Sequence, residues 1–159
     1  MQEISHKSET AMHMHADTAI IKREHTPNMA EKVLNMGQNT LTLDALRNQT
    51  EIPALIVDQQ GLIIFVNAYF EQVFGWQPGE IIGEFVGRII PKRMHDAHNL
   101  GFSRFITTGQ PTILGKPLTL TAVNKAGVEF AAEHHMIAEQ NEGQWLFGAT
   151  IKPVGPDDL

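Results

Sequence analysis

Residues 53–75 read PALIVDQQGLIIFVNAYFEQVFG, and this stretch decides the fold. Two apolar runs, ALIVD and LIIFVN, flank the turn QQG, in which Gly61 can adopt a positive φ, so the pattern predicts a β-hairpin. Asn67 then stands where a helix N-cap is needed, because its side-chain oxygen can accept a hydrogen bond from the first helical turn. Gly75 ends the helix AYFEQVF that follows. The stretch therefore predicts a hairpin that leads directly into a short capped helix.

More short helices and three further strands follow this unit. The segment QPGEIIGE predicts a second short helix between two glycines, and Pro91 opens a longer helix that ends near Gly109. Strand patterns then cover residues 112–123, 128–140 and 144–154, separated by the turns NKAG and NEG. Two strands, several helices and three antiparallel strands predict an α+β fold, with the helices gathered on one side of the sheet.

The chain that precedes this domain has a different character. Its first residues are polar and predict a flexible tail, whereas the next stretch carries two short helical patterns, over residues 28–37 and 40–51. The second pattern has an apolar edge that must dock on another surface, and we expect it to be a dimer contact. That edge consists of Leu41, Leu43, Leu46 and Ile52. The predicted organisation is a polar tail (1–27), a helical extension (28–51), the α+β domain (52–154) and a C-terminal tail (155–159).

Composition excludes several classes of function. The net charge of −6 and the lack of clustered Lys and Arg argue against binding to nucleic acid or to anionic lipid. No run of 18 apolar residues and no secretory signal pattern occurs, so we expect a cytoplasmic protein that does not enter a membrane. The absence of cysteine removes thiolate chemistry, iron–sulfur clusters and cysteine–flavin adducts. No phosphate loop, nucleophile elbow or HExxH motif is present, and we do not expect an enzyme.

One histidine of the long helix does not fit a solvated face. A helix turns about 100° per residue, so Met94, Gly101, Phe102 and Phe105 lie within about 60° of His98. His98 is therefore either a ligand or a packed core residue that bonds a backbone carbonyl or a carboxylate such as Asp96 or Glu133. His95, three residues earlier, could share a metal with it, but no third ligand is apparent.

The ordered series of motifs resembles a PAS domain. The hairpin turn DQQG, the helix NAYFEQVFG, the segment GEIIG, an IP pair before the long helix, and the closing NKAGVEF follow the pattern of that family over about residues 41–154. The resemblance implies a sensory and dimerisation module in which a five-stranded antiparallel sheet and its helices enclose a cavity. In that family the cavity holds haem, a flavin, a small metabolite or nothing.

One subgroup bears directly on His98. The sequence is similar to the haem-binding PAS domains of rhizobial oxygen-sensing kinases and related phosphodiesterases, whose axial histidine motif H-x5-R is matched here by His98 and Arg104, with Phe105 next. The resemblance implies b-type haem with His98 as its axial ligand. An arginine that bonds oxygen in those sensors corresponds to Leu118, and a methionine sixth ligand corresponds to Lys116. These departures favour sensing of redox state, carbon monoxide or nitric oxide over sensing of oxygen.

Two further residues of this chain are candidate iron ligands. His134 and Met136 correspond to apolar positions of the kinases' distal pocket, and we expect one of them to be the sixth ligand. Strand alternation places both on the face that they share with Phe130. The predicted pocket is bounded by Met94, His98, Phe102, Phe105, Ile113, Leu118, Phe130, His134 and Met136.

Two alternatives remain open at this point. A non-covalent flavin could occupy the cavity, with Trp145, Asn67 and Gln144 as its contacts. A cofactor-free interaction module would instead fill the pocket with its own side chains. In either case we expect a homodimer that acts on a separate signalling partner or on an effector domain outside this sequence.

Overall fold

The computed structural model describes residues 40–111 and 113–158. The predicted polar tail and the helix predicted over residues 28–37 lie outside them. The described helices are α1 Leu43–Arg47, α2 Ala68–Phe74, α3 Pro78–Ile81 and α4 His95–Thr108, with 3₁₀ turns at Val86–Ile89, Lys92–Met94 and Pro156–Asp158. The strands are β1 Ala54–Asp58, β2 Ile63–Val66, β3 Leu118–Val123, β4 Glu129–Asn141 and β5 Gln144–Pro153.

The five strands form one antiparallel sheet in the order β2-β1-β5-β4-β3. The first strand of the chain lies between the second and the last, so both ends of the domain sequence meet near the middle of the sheet. The α+β class and the five-stranded antiparallel sheet predicted from the sequence are confirmed.

Both faces of the sheet are covered, which explains why β1 is apolar along its whole length. Successive side chains of a strand point to opposite faces. Leu55 and Val57 belong to the cluster that contains the aromatic rings of α2, whereas Ala54 and Ile56 belong to a second cluster with α1. We call these two sides of the sheet the inner face and the outer face, respectively.

The helical extension is shorter than its pattern predicts. Only residues Leu43–Arg47 are helical between residues 40 and 51, and Thr42 caps this single turn by accepting a hydrogen bond from the Ala45 N–H. Leu43 and Leu46 are buried in the outer-face cluster of their own domain. The apolar edge that we expected at a dimer contact therefore docks within the same chain, because the outer face of β1 supplies the surface it needs.

The local signals around the hairpin are confirmed. Asn67 accepts a hydrogen bond from the Phe70 N–H and caps α2, which ends at Gly75 with a φ of 76°. The turn between β4 and β5 places Glu142 and Gly143 at φ values of 51° and 79°, the positive pair that tight hairpin turns require.

One strand boundary was wrong. The pattern over residues 112–123 was predicted as a single strand, but β3 begins at Leu118. Gly115 adopts a φ of 85°, a left-handed conformation that breaks an extended strand, and its N–H donates to the carbonyl of Met136. The residues before Leu118 therefore form a loop beside β4 rather than part of the ladder.

Across residues 40–111 and 113–158, the helices are all too short or too polar to cross a bilayer.

Candidate ligand cavity

A cavity of about 340 Å³ lies against the inner face of the sheet and is bordered by α4. This volume is near the lower end of the roughly 300–1,000 Å³ that is usual for ligand pockets. Seven residues predicted from the sequence lie on its wall: Met94, His98, Phe102, Phe105, Ile113, His134 and Met136. They come from the long helix, the loop that follows it and β4, which the fold brings around one space.

Two predicted residues do not line this cavity. Leu118 faces His134 in the β3–β4 register, but it lies at the start of its strand and is 37% exposed. Phe130 packs its ring against that of Phe74, with ring centroids 5.4 Å apart, and belongs to the apolar core beyond the end of the cavity. The alternation of side chains predicts the correct face of the sheet for both residues, but it does not predict which positions along the strand reach the cavity. Leu120, between them in the ladder, reaches the cavity.

The sequence interpretation missed the wall opposite the long helix. Leu55 and Val57 of β1, and Phe147, Ala149 and Ile151 of β5, all line the cavity. Their alternating spacing was a usable signal, because it places each set on one face of its strand. The 3₁₀ turn adds Val86 and Ile89; this short irregular segment offers no periodicity from which they could be found.

His98 lies in this wall with one ring nitrogen that has no hydrogen-bond partner in the described part of the chain. Its ring is close to parallel with that of Phe102 at 5.9 Å and meets Phe85 edge-on at 6.3 Å. Its Nδ1 is buried and has no hydrogen-bond partner among the described residues. Burial lowers the pKa of His98, although a hydrogen bond with the side chain of Asn99 opposes this effect, so the neutral imidazole is favoured. The hydrogen bond to a carbonyl or a carboxylate that the core interpretation expects at this atom is therefore not present in the described structure.

His134 is held in one tautomer. It is 9% exposed, and its Nδ1 lies 2.9 Å from the carbonyl oxygen of Ala132. A carbonyl accepts but cannot donate, so Nδ1 carries the proton and donates it. Burial lowers the pKa of His134, although the bond to Ala132 opposes this effect. The other ring nitrogen, Nε2, consequently carries a lone pair and can act as an acceptor or as a metal ligand.

His95 has a structural role. Its Nε2 lies 3.0 Å from the carbonyl oxygen of Gly87 and 2.8 Å from that of Ile90, so this nitrogen donates to the 3₁₀ turn. Because Nε2 is protonated, it cannot also bind a metal together with His98. Within the described parts of the chain, no group of three or more His, Asp or Glu side chains could hold a metal ion.

Aromatic rings form one side of the cavity. Phe147 lies 4.7 Å from Phe102 and 5.2 Å from Phe105 between ring centroids, and Trp145 meets Phe105 edge-on at 4.9 Å. Trp145 is not itself on the cavity wall. These ring contacts pack α4 against β5. The rings of Phe102, Phe105 and Phe147 also give the cavity an apolar aromatic wall.

The three expected flavin contacts are not found at the cavity. Asn67 is fully engaged elsewhere, since its oxygen accepts from Ala54 N and Phe70 N and its amide donates to the carbonyls of Gln49 and Ile52. Trp145 lies behind Phe105, and Gln144 is exposed at the start of β5. The structure therefore gives no support for this set of flavin contacts.

The residues present are chemically suited to an axial ligand of haem. Burial favours the neutral form of His98, which lies in an apolar wall and has no partner at Nδ1 among the described residues. His134 or Met136 would supply a second ligand from β4. When bound, haem would contribute reversible iron redox chemistry and affinity for diatomic gases. The protein would contribute the imidazole and the exclusion of water around it.

A five-stranded antiparallel sheet with short helices and an apolar cavity against its inner face defines a class of small α+β domains. The family model for the PAS domain matches residues 51–152, and the chain belongs to that family. A PAS domain of a Desulfitobacterium hafniense protein has a similar structure, with a TM-score of 0.54 at 15% identity, over 68% of this chain and 97% of that one. PAS domains act as sensory modules of signalling proteins.

Two longer proteins are related to it in sequence. An uncharacterized protein of Azorhizobium caulinodans is 30% identical over 131 residues, which are 79% of this chain and 18% of that protein. The sensor protein FixL of Bradyrhizobium diazoefficiens is 30% identical over 89 residues, which are 56% of this chain and 17% of FixL. The chain thus spans less than a fifth of the length of either relative.

Proposed function

We propose that this PAS domain senses a small ligand or a cofactor that occupies the inner-face cavity and contacts His98. The observation that carries this proposal is the environment of His98, which lies in an apolar wall and has no partner for its buried Nδ1 within the described residues, while burial lowers its pKa and favours the neutral form. A buried polar atom without a partner costs about 1–3 kcal/mol, so a purely structural histidine would be expected to find one. The open volume of about 340 Å³ also supports the proposal, since a cofactor-free interaction module is expected to fill this space with side chains.

We infer b-type haem as the specific cofactor to test first. The match of His98, Arg104 and Phe105 to the axial-ligand motif supports it, together with two candidate second ligands, His134 and Met136, on the same cavity. His98 and either His134 or Met136 would hold the iron, and the haem would supply a response to redox state, carbon monoxide or nitric oxide.

The test is an absorption spectrum of the chain purified from cells supplied with a haem precursor. We expect an intense band near the blue edge of the visible in the unmodified chain and its loss in His98→Ala. The matched control is His135→Ala, a half-buried histidine on the same strand as His134 but on the outer face, which should keep the band. A band that persists in a folded His98→Ala variant would contradict the assignment of His98. A featureless spectrum in all three proteins would exclude haem.

For the output, we propose rearrangement of a homodimer or of a complex with a separate signalling partner. The position of Gly148 supports this step, because this residue borders the cavity and also lies directly against the leucine side chains of α1 on the outer face. A change in the position of β5 would therefore be transmitted to the segment that leaves the domain toward its N-terminus.

A further inference from the structure

We propose that the cavity selects an uncharged molecule of one or two rings that donates one hydrogen bond to Nε2 of His134. This inference rests on the proposed function, in which the cavity is the sensory input. It concerns the chain without haem, because haem is larger than two rings and itself carries two carboxylates. It goes beyond that function by specifying the chemistry of the ligand and a second residue that recognises it.

The first argument is the charge of the wall. Among the residues that the structure describes, no Asp, Glu, Lys or Arg side chain lines the cavity, and the polar side chains on its wall are those of His98, Thr121 and His134. Transfer of an ion into such surroundings without a counter-charge is strongly unfavourable. Both histidines are favoured in their neutral form because burial lowers the pKa of each. A carboxylate, phosphate or ammonium ligand would therefore be rejected.

The second argument is the fixed tautomer of His134. Its Nδ1–H donates to the Ala132 carbonyl at 2.9 Å, which leaves Nε2 as an acceptor. No group in residues 40–111 or 113–158 donates to Nε2, and this atom, unlike Nδ1 of His98, is not fully enclosed by the protein. An acceptor that is prearranged in an apolar wall discriminates in favour of ligands with an N–H or an O–H group.

The third argument is shape. A volume of about 340 Å³ suits a small molecule, and the rings of Phe102, Phe105 and Phe147 offer aromatic surface on one side. Planar rings pack well against such walls. Met94 and Met136 provide flexible thioether side chains that can adjust to the outline of the ligand.

The test compares two probes of nearly equal shape in the full chain. Indole has an N–H donor, whereas benzofuran has an oxygen in its place and cannot donate. Dissociation constants are measured from amide shifts in two-dimensional NMR titrations, with benzoate as a charged probe. We expect indole to bind about five-fold more tightly than benzofuran, the effect of one net hydrogen bond, and to shift amides of residues 132–136. Benzoate should cause no such shifts.

The matched variants are His134→Leu, which removes the acceptor, and His135→Leu, which changes the neighbouring histidine on the outer face. The preference for indole should disappear in the first and persist in the second. Equal binding of indole and benzofuran to the unmodified chain would overturn the inference and leave the cavity as the input site. Tighter binding of benzoate would also overturn it. If no probe shifts a cavity amide, the inference is overturned, whereas the absorption spectra decide the proposed function separately. Because the comparison of probes needs no variant, it decides the question even if His134→Leu does not fold.

Discussion

His98 and His134 place two imidazoles in one apolar wall, and burial lowers the pKa of both below the usual 6.5. The unfolded chain therefore takes up protons near pH 6.5 that the folded chain does not. The free energy of unfolding consequently rises with pH through this region, and it falls as the pH drops below about 6.5. We expect a lower urea midpoint at pH 5.5 than at pH 7.5, a range that lies above the titration of exposed carboxylates.

Two variants, His134→Gln and His135→Gln, check whether the buried histidine causes this pH dependence of the unfolding free energy. The first should reduce the difference in unfolding free energy between the two pH values, because it removes a group that is favoured as neutral only in the fold. The second changes the neighbouring histidine on the outer face and serves as the matched control. An unchanged difference in His134→Gln would show that His134 does not contribute to it.

Asn67 joins three parts of the chain through four hydrogen bonds. Its oxygen accepts from Ala54 and Phe70, and its amide donates to Gln49 and Ile52. We expect Asn67→Ala to lower the unfolding free energy by about 2–3 kcal/mol, since it removes a helix cap and leaves buried backbone groups without partners. Thr42→Ala removes an exposed cap from α1 and should cost about 1 kcal/mol or less. Equal losses in chemical denaturation would contradict the central role assigned to Asn67.

The packing of α1 against the outer face of the sheet depends on the absence of a side chain at position 148. A Cβ built on Gly148 would overlap Cδ1 of Leu46 and would lie 2.8 Å from Cδ2 of Leu43, so α1 packs directly on the backbone of β5. We expect Gly148→Ala to displace α1. Amide hydrogen exchange should then show faster exchange of the Leu46 amide, which donates to the Thr42 carbonyl in the intact helix.

Gly79 provides the matched control for this substitution. It lies in α3, and a Cβ there meets nothing within 4 Å. Gly79→Ala should therefore leave the exchange of α1 unchanged and either preserve or slightly raise stability. If the amides of α1 exchange no faster in Gly148→Ala, the helix accommodates the added methyl group without being displaced, which would contradict the prediction.

The molecule as a whole uses its sheet as a wall between two apolar clusters, the cavity side and the α1 side. From Leu41 onward the chain is one compact unit. A chain that begins at Leu41 should keep the thermal stability of this domain, whereas one that begins at Ile52 loses the buried Leu43 and Leu46. Two lost leucine contacts should lower the thermal midpoint by about 10 °C or more. Calorimetry of the two chains checks this, and equal midpoints would contradict the structural role of α1.

This comparison also bears on the homodimer proposal. Deletion of residues 1–51 removes α1 and exposes Ile56 and the rest of the outer-face cluster. A change in association after this deletion could therefore come from the damaged domain surface and would not identify a dimer interface. Light scattering on the chain that begins at Leu41 separates loss of an interface before Leu41 from damage to the outer face, since that chain retains the buried Leu43 and Leu46.

The sequence by itself determined the hairpin, the cap at Asn67, the antiparallel sheet and the face of α4 that carries His98, because these features follow from local periodicity and turn chemistry. The tertiary structure alone decided how far along its strand each residue lies, which separated Leu118 and Phe130 from the cavity. It also decided which polar atoms find partners. His95 and His98 lie three residues apart on one helix, yet the first meets two carbonyls of the 3₁₀ turn and the second leaves Nδ1 without a partner. Hydrogen-bond partners depend on which segments the fold brings within about 3 Å, and helical spacing carries no information about that.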